Sequence, residues 1–145
     1  MTETERIEIE RACERLTQRY CHLVDHGEAE RVADLFTKDG VWASPENTMN
    51  GQEEIRKGFA RRQAQTGRMS RHVCTSFLLD EVEADRATGC VYLTLYRHDG
   101  DEGRRLSPLE GPEMVGEYRD RFERTPDGWR IAHREIGVSF LKRRD

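Results

Sequence analysis

Apolar residues near the start of the chain recur in steps of four and three, so that Ile9, Cys13, Leu16, Tyr20 and Leu23 share one stripe of a helix. The spacing predicts a first helix from about Thr4 to Asp25, ended by Gly27. Val32, Ala33, Leu35 and Phe36 mark a short second helix. Asp39-Gly40 is a turn signal, Val41-Trp42-Ala43 a short strand, and Ser44 to Asn50 a loop or tight hairpin. Gly51-Gln52-Glu53-Glu54 opens a third helix with Ile55 and Phe59 on its buried side. From Arg71 the period drops to two. Four long strands are expected over Arg71–Glu83, Thr88–His98, Glu113–Arg124 and Trp129–Phe140. They are joined by Asp85-Arg86-Ala87, by a polar loop over Asp99–Pro112, and by the turn Thr125-Pro126-Asp127-Gly128. Helices first and an antiparallel meander afterwards predict an α+β fold, with helices on one face of a sheet.

Composition sharpens this picture. The 145 residues suit one domain spanning the whole sequence, 1–145. Charged residues make up 36%, so the apolar positions must be concentrated on a few faces. A net charge of −4 gives no bulk reason to expect nucleic acid. The basic stretch Arg56, Lys57, Arg61, Arg62, Arg68 and Arg71 follows Glu53 and Glu54, the ordinary polarity of a solvated helix face. The opening MTETERIEIERACERL lacks the apolar core of a secretory signal, and no run approaches bilayer length. Cys13, Cys21, Cys74 and Cys90 are irregularly spaced and read as reduced thiols. A cytoplasmic protein without membrane contact is expected.

Three segments carry a family pattern: RYCHLVDHGEAERVADLFTKDGVW, NGQEEIRKGF and GEYRDRFERTPDGWRIAHRE. Through them the chain, from about Glu5 to Leu141, resembles the SnoaL-like branch of the nuclear transport factor 2-like superfamily. The resemblance implies a strongly bent, antiparallel-rich sheet of about six strands, forming a cone with three N-terminal helices around a pocket. It also implies a homodimer packed sheet to sheet. In bile acid dehydratase, scytalone dehydratase and hexachlorocyclohexane dehydrochlorinase an Asp ending the first helix and a His starting a strand act together as a base. Asp25 and His72 match that pair, Tyr20 the helix tyrosine, and Arg134 the arginine of the last strand.

Each candidate has a plainer reading too. Alternation puts His72, Cys74 and Ser76 on one side of their strand, with Val73, Thr75 and Phe77 on a bulkier packing side. His72 is a general base with an ordinary pKa of about 6.5, or a strand-end histidine bonded to a carbonyl. Asp25 orients that base, or caps the second helix in an Asp-x-x-Glu box with Glu28. Tyr20 lies on the apolar stripe, roughly 140° around an ideal helix from Asp25, so both reach one cavity only if it wraps the helix end. Arg134 pairs with a substrate oxyanion or sits at the surface, and the alternation shifts near Glu135-Ile136, suggesting a bulge. His22 and His26 are one helical turn apart but lack a third ligand, so no metal is expected. No phosphate-binding or dinucleotide fingerprint is present, so no cofactor is expected either. Trp42, Phe59, Met114 and Tyr118 are the candidate pocket wall. The expected function is a lyase or isomerase, dehydratase- or cyclase-like, acting on a small hydrophobic, aromatic or polycyclic substrate through a His–Asp dyad. A non-catalytic ligand carrier or subunit on the same fold is the alternative.

Overall fold

Thr2 and Glu5 start the first helix by capping each other: the Glu5 amide donates to the Thr2 hydroxyl, and the Thr2 amide to the Glu5 carboxylate. In the computed structural model, which describes residues 1–100 and 106–144, that helix (α1) spans Glu3–Asp25. It buries Ile9, Cys13, Leu16, Thr17, Tyr20, Cys21 and Val24. Leu23 is only half-buried, because Val24 continues the step of four from Tyr20. The expected second helix is a 3-10 helix, Ala29–Leu35. Strand β1 (Phe36–Ala43) begins earlier than the apolar pattern suggests and runs through Asp39-Gly40, which is not a turn. β1 and β2 (Thr48–Asn50) form the hairpin closed at Ser44–Asn47. Helix α2 (Gln52–Gln63) follows, burying Ile55 and Phe59.

The remaining strands are β3 (Arg68–Val82), β4 (Arg86–Asp99), β5 (Met114–Thr125) and β6 (Gly128–Leu141). Part of the expected loop, residues 101–105, lies outside the described residues. The six strands form one sheet in the order β2-β1-β6-β5-β4-β3. It is mixed: β1 runs parallel to β6, and every other pair is antiparallel. The sheet does not close, so β2 and β3 are its edges. The fold is α+β, with three helices and this mixed sheet.

Bulges decide which side chains face inward. Thr75 pairs with Tyr92 and Leu78 with Cys90, so β3 carries one extra residue there. Ser76 absorbs it at a φ of 56°, the only positive φ outside glycine among the described residues. Before the bulge, Ser70, His72 and Cys74 turn inward while Val73 and Thr75 are exposed. After it, Phe77 and Leu79 turn inward, and Phe77 packs on Phe122. The expected bulky packing side of Val73, Thr75 and Phe77 is therefore split by the bulge, and Val73 and Thr75 are not core. In β6 the alternation shifts at Ala132, where Phe122 pairs with Ile131 and Arg121 with His133. The shift lies three residues before the expected position at Glu135, and it turns Arg134 and Ile136 inward.

Candidate functional site

Helix α1 crosses the free edge of β3, where unpaired backbone donors need acceptors. Asp25 supplies one. Its Oδ2 accepts the His72 backbone amide at 2.8 Å, and its Oδ1 lies 2.6 Å from His72 Nδ1. Ser70 Oγ donates to the same Oδ1 at 2.8 Å and accepts from Arg62 Nη2 at 2.9 Å. Three donors from one strand thus fix a single carboxylate, and the capping role toward Glu28 is not realised: the 3-10 helix has no side-chain cap. Burial pushes the Asp25 carboxyl up, but the hydrogen bonds and charge of His72, with the Ser70 hydroxyl, outweigh it and hold it below the usual carboxylate range. An ionised carboxylate only accepts, so Nδ1 carries a proton, and in the neutral imidazole Nε2 is then the nitrogen with the lone pair. Nε2 has no hydrogen-bond partner among the described residues.

His72 lines a cavity of about 730 Å³. Tyr20 also lines it, whereas Asp25 lies behind the imidazole and reaches the cavity only through that ring. The wide angle between Tyr20 and Asp25 on α1 is accommodated in this way. The Tyr20 and His72 rings meet edge to face, with centroids 6.3 Å apart. Tyr20 Oη accepts the Trp42 indole N–H at 2.9 Å. Burial pushes its pKa up to about 12, despite the Arg134 charge and hydrogen bonds from Trp42 and Tyr118 that pull it down. Trp42, Phe59, Met114 and Tyr118 all line the cavity, and Leu93 and Leu95 extend its apolar wall.

Arg134 is not at the cavity. It is fully buried and takes Asp120 in a two-pronged grip, Nε to Oδ1 at 2.8 Å and Nη2 to Oδ2 at 2.9 Å. Nη2 also donates to Thr17 Oγ1 at 2.8 Å. Its guanidinium carbon lies 4.1 Å from the Tyr118 ring centre and 4.5 Å from that of Tyr20. It therefore supports the two tyrosines from behind, and a direct grip on a substrate oxyanion is not available to it. Its partner Asp120 is the cross-strand neighbour, an inward-facing acid in an otherwise apolar alternation.

Sequence reasoning missed Ser70 and Arg62. Starting β3 at Arg68 rather than Arg71 would have placed Ser70 on the His72 face by alternation. It also missed the contact of Cys21 with Cys74, whose sulfurs are 3.5 Å apart; all four cysteines are free thiols. His22 and His26 stack on each other, and among the described residues no group of three or more metal-ligating side chains converges. No helix among the described residues is long and apolar enough to cross a membrane.

Residues 5–135 match the SnoaL-like domain model, and the chain belongs to that family. An NTF2-like protein with a cystatin-like fold from Novosphingobium aromaticivorans is 28% identical, with a TM-score of 0.72 over 92% of this chain and 85% of that one. A provisionally named scytalone dehydratase from the same organism is 21% identical, with a TM-score of 0.81 over 98% and 91%. A hexachlorocyclohexane dehydrochlorinase, LinA type 2, is 17% identical, with a TM-score of 0.79 over 97% and 92%. At such identities the last two establish likeness of fold. No curated protein matches the sequence significantly.

Proposed function

We propose that the protein is a cofactor-independent lyase or isomerase, in which His72 removes a proton from a small, largely apolar carbonyl or cyclic compound. The observation that carries this reading is the 2.6 Å contact between Asp25 and His72 Nδ1, with Nε2 left unpartnered at a cavity. Asp25 fixes the tautomer and stabilises the imidazolium that forms as Nε2 takes the proton. The electron pair released from carbon then expels a hydroxyl or halide from the neighbouring carbon, or is held as an enolate. Tyr20 accepts from Trp42, so its own proton is available to that developing charge. Arg134 assists as a positioning residue, its charge lying behind the Tyr20 ring. The names of two fold relatives, a dehydratase and a dehydrochlorinase, each describe such an elimination. In this reading the sheet wraps the cavity as a cone. Exposed Val73, Leu78 and Tyr92 on β3 and β4 support a homodimer that covers the outer face.

Proton abstraction can be followed without the natural substrate. In D₂O, cyclic ketones and β-hydroxy ketones should take up deuterium beside the carbonyl, read by NMR. His72→Ala and Asp25→Asn should each slow this by about 10²-fold or more while the circular dichroism spectrum stays unchanged. Full exchange in either variant would refute the pair as the base. Tight ligand binding without exchange in the unaltered protein would favour the carrier.

A further inference from the structure

The same cavity holds charge that the proposed chemistry does not use. Among the described residues, five arginines line it against two glutamates. Most of those cations are answered: Arg68 grips Asp99 at 2.7 and 3.0 Å, and Arg97 and Arg144 share Glu113. Arg61 and Arg62, in the last turn of α2, are not. Arg61 has no ion pair or hydrogen bond among the described residues, and Arg62 donates one hydrogen bond to the neutral Ser70 hydroxyl. Arg62 is half-buried. Burial first and the neighbouring Arg68 second pull its pKa down, and the more distant carboxylates of Asp25 and Asp99 only partly offset them.

A solvated helix face, the reading from sequence, describes the exposed Arg61 but not the half-buried Arg62. A half-buried guanidinium that makes no direct ion pair among the described residues, its nearest carboxylate Asp25 reached only through the Ser70 hydroxyl, is stabilised when an anion arrives, and its planar fork suits two oxygens. The apolar part of the lining, with Trp42, Leu93 and Leu95, suits hydrocarbon. We infer that the cavity takes an amphipathic organic anion: an apolar ring body against that wall, and one carboxylate-like oxyanion on Arg61 and Arg62. The inference deepens the lyase or isomerase reading and rests on it for the word substrate. The anionic end is tied to the base, because Ser70 bridges Arg62 at 2.9 Å and Asp25 at 2.8 Å. The C–H bond presented to His72 then lies near that end of the ligand.

A matched pair of fluorescent probes isolates the charge. 8-Anilinonaphthalene-1-sulfonate and N-phenyl-1-naphthylamine share one apolar frame and differ only by the sulfonate. The sulfonate should bind the unaltered protein at least about tenfold more tightly, with one site per chain. The double variant Arg61→Gln/Arg62→Gln should remove that preference and leave the neutral probe within about twofold. Arg62→Lys, which keeps the charge, should retain most of it. Equal affinity for both probes in the unaltered protein would overturn the inference. So would equal loss of both in the double variant, an unchanged preference there, or no binding of either. His72→Ala should leave the sulfonate preference intact, so a failed base and a failed anion site give different results.

Discussion

Asp25 holds a position that helix electrostatics disfavours, since the C-terminal end of α1 already carries partial negative charge. It is tolerated because three donors from β3 converge on it. Its folded pKa lies below the ordinary value near 3.9, so its contribution to stability is complete above that value. The contribution is lost as the pH falls through the lower folded pKa. Urea midpoints measured from neutral pH downward should therefore drop for the natural sequence below about pH 4, and drop less for Asp25→Asn. At neutral pH that variant should be less stable by about 1–3 kcal/mol. Parallel acid profiles for the two proteins would show that Asp25 is not the group being titrated. The Asp25–His72 pair was legible only through the family resemblance, which sets an acid at the end of the first helix against a strand histidine; periodicity by itself placed Asp25 at the end of α1 and His72 early in β3. Arg62 was not: nothing local separates it from Arg56, which pairs with Asp34 on the surface. Only the fold turns one toward the cavity.

At the scale of elements, most of what the sequence hid comes from bulges. Element types and order follow from the change of period from 3.6 to two, and they matched the fold closely. Alternation within a strand is reliable only up to the first bulge. His72 lies before the bulge in β3, so the alternation that groups it with Cys74 holds there, whereas Phe77 lies after it and falls on their face instead of the other. Ser76 sits in the left-handed region, where a β-branched side chain is strained. Ser76→Gly should be neutral or stabilising by up to about 1 kcal/mol, and Ser76→Val destabilising by about 1–3 kcal/mol. Chemical denaturation distinguishes the two. Equal midpoints would mean that the extra residue of β3 is accommodated elsewhere.

Across the whole molecule, the Arg134–Asp120 pair joins β6 to β5, α1 through Thr17, and the floor of the cavity through Tyr20 and Tyr118. Both side chains are almost wholly excluded from solvent, at 0% and 1% exposure. Such a pair need not add net stability over a well-packed apolar one, but either partner alone is a buried, uncompensated charge. Burial alone would lower the Arg134 pKa; Asp120 more than reverses this, so Arg134 stays charged. Arg134 Nη1 has no hydrogen-bond acceptor among the described residues, and the tyrosine rings are nearby electron-rich surfaces. Arg134→Met and Asp120→Leu should therefore each destabilise by about 3–5 kcal/mol in urea unfolding, and the double variant should recover most of that loss. A double variant as unstable as the sum of the singles would contradict the pairing. Recovery of fold also permits a sharper test at the cavity. If the Arg134 charge matters to Tyr20 beyond holding it in place, the refolded double variant should still exchange protons more slowly than the natural sequence. Its tyrosine titration, followed by ultraviolet absorbance, should shift upward as well, because the positive charge that restrains the Tyr20 pKa would be gone.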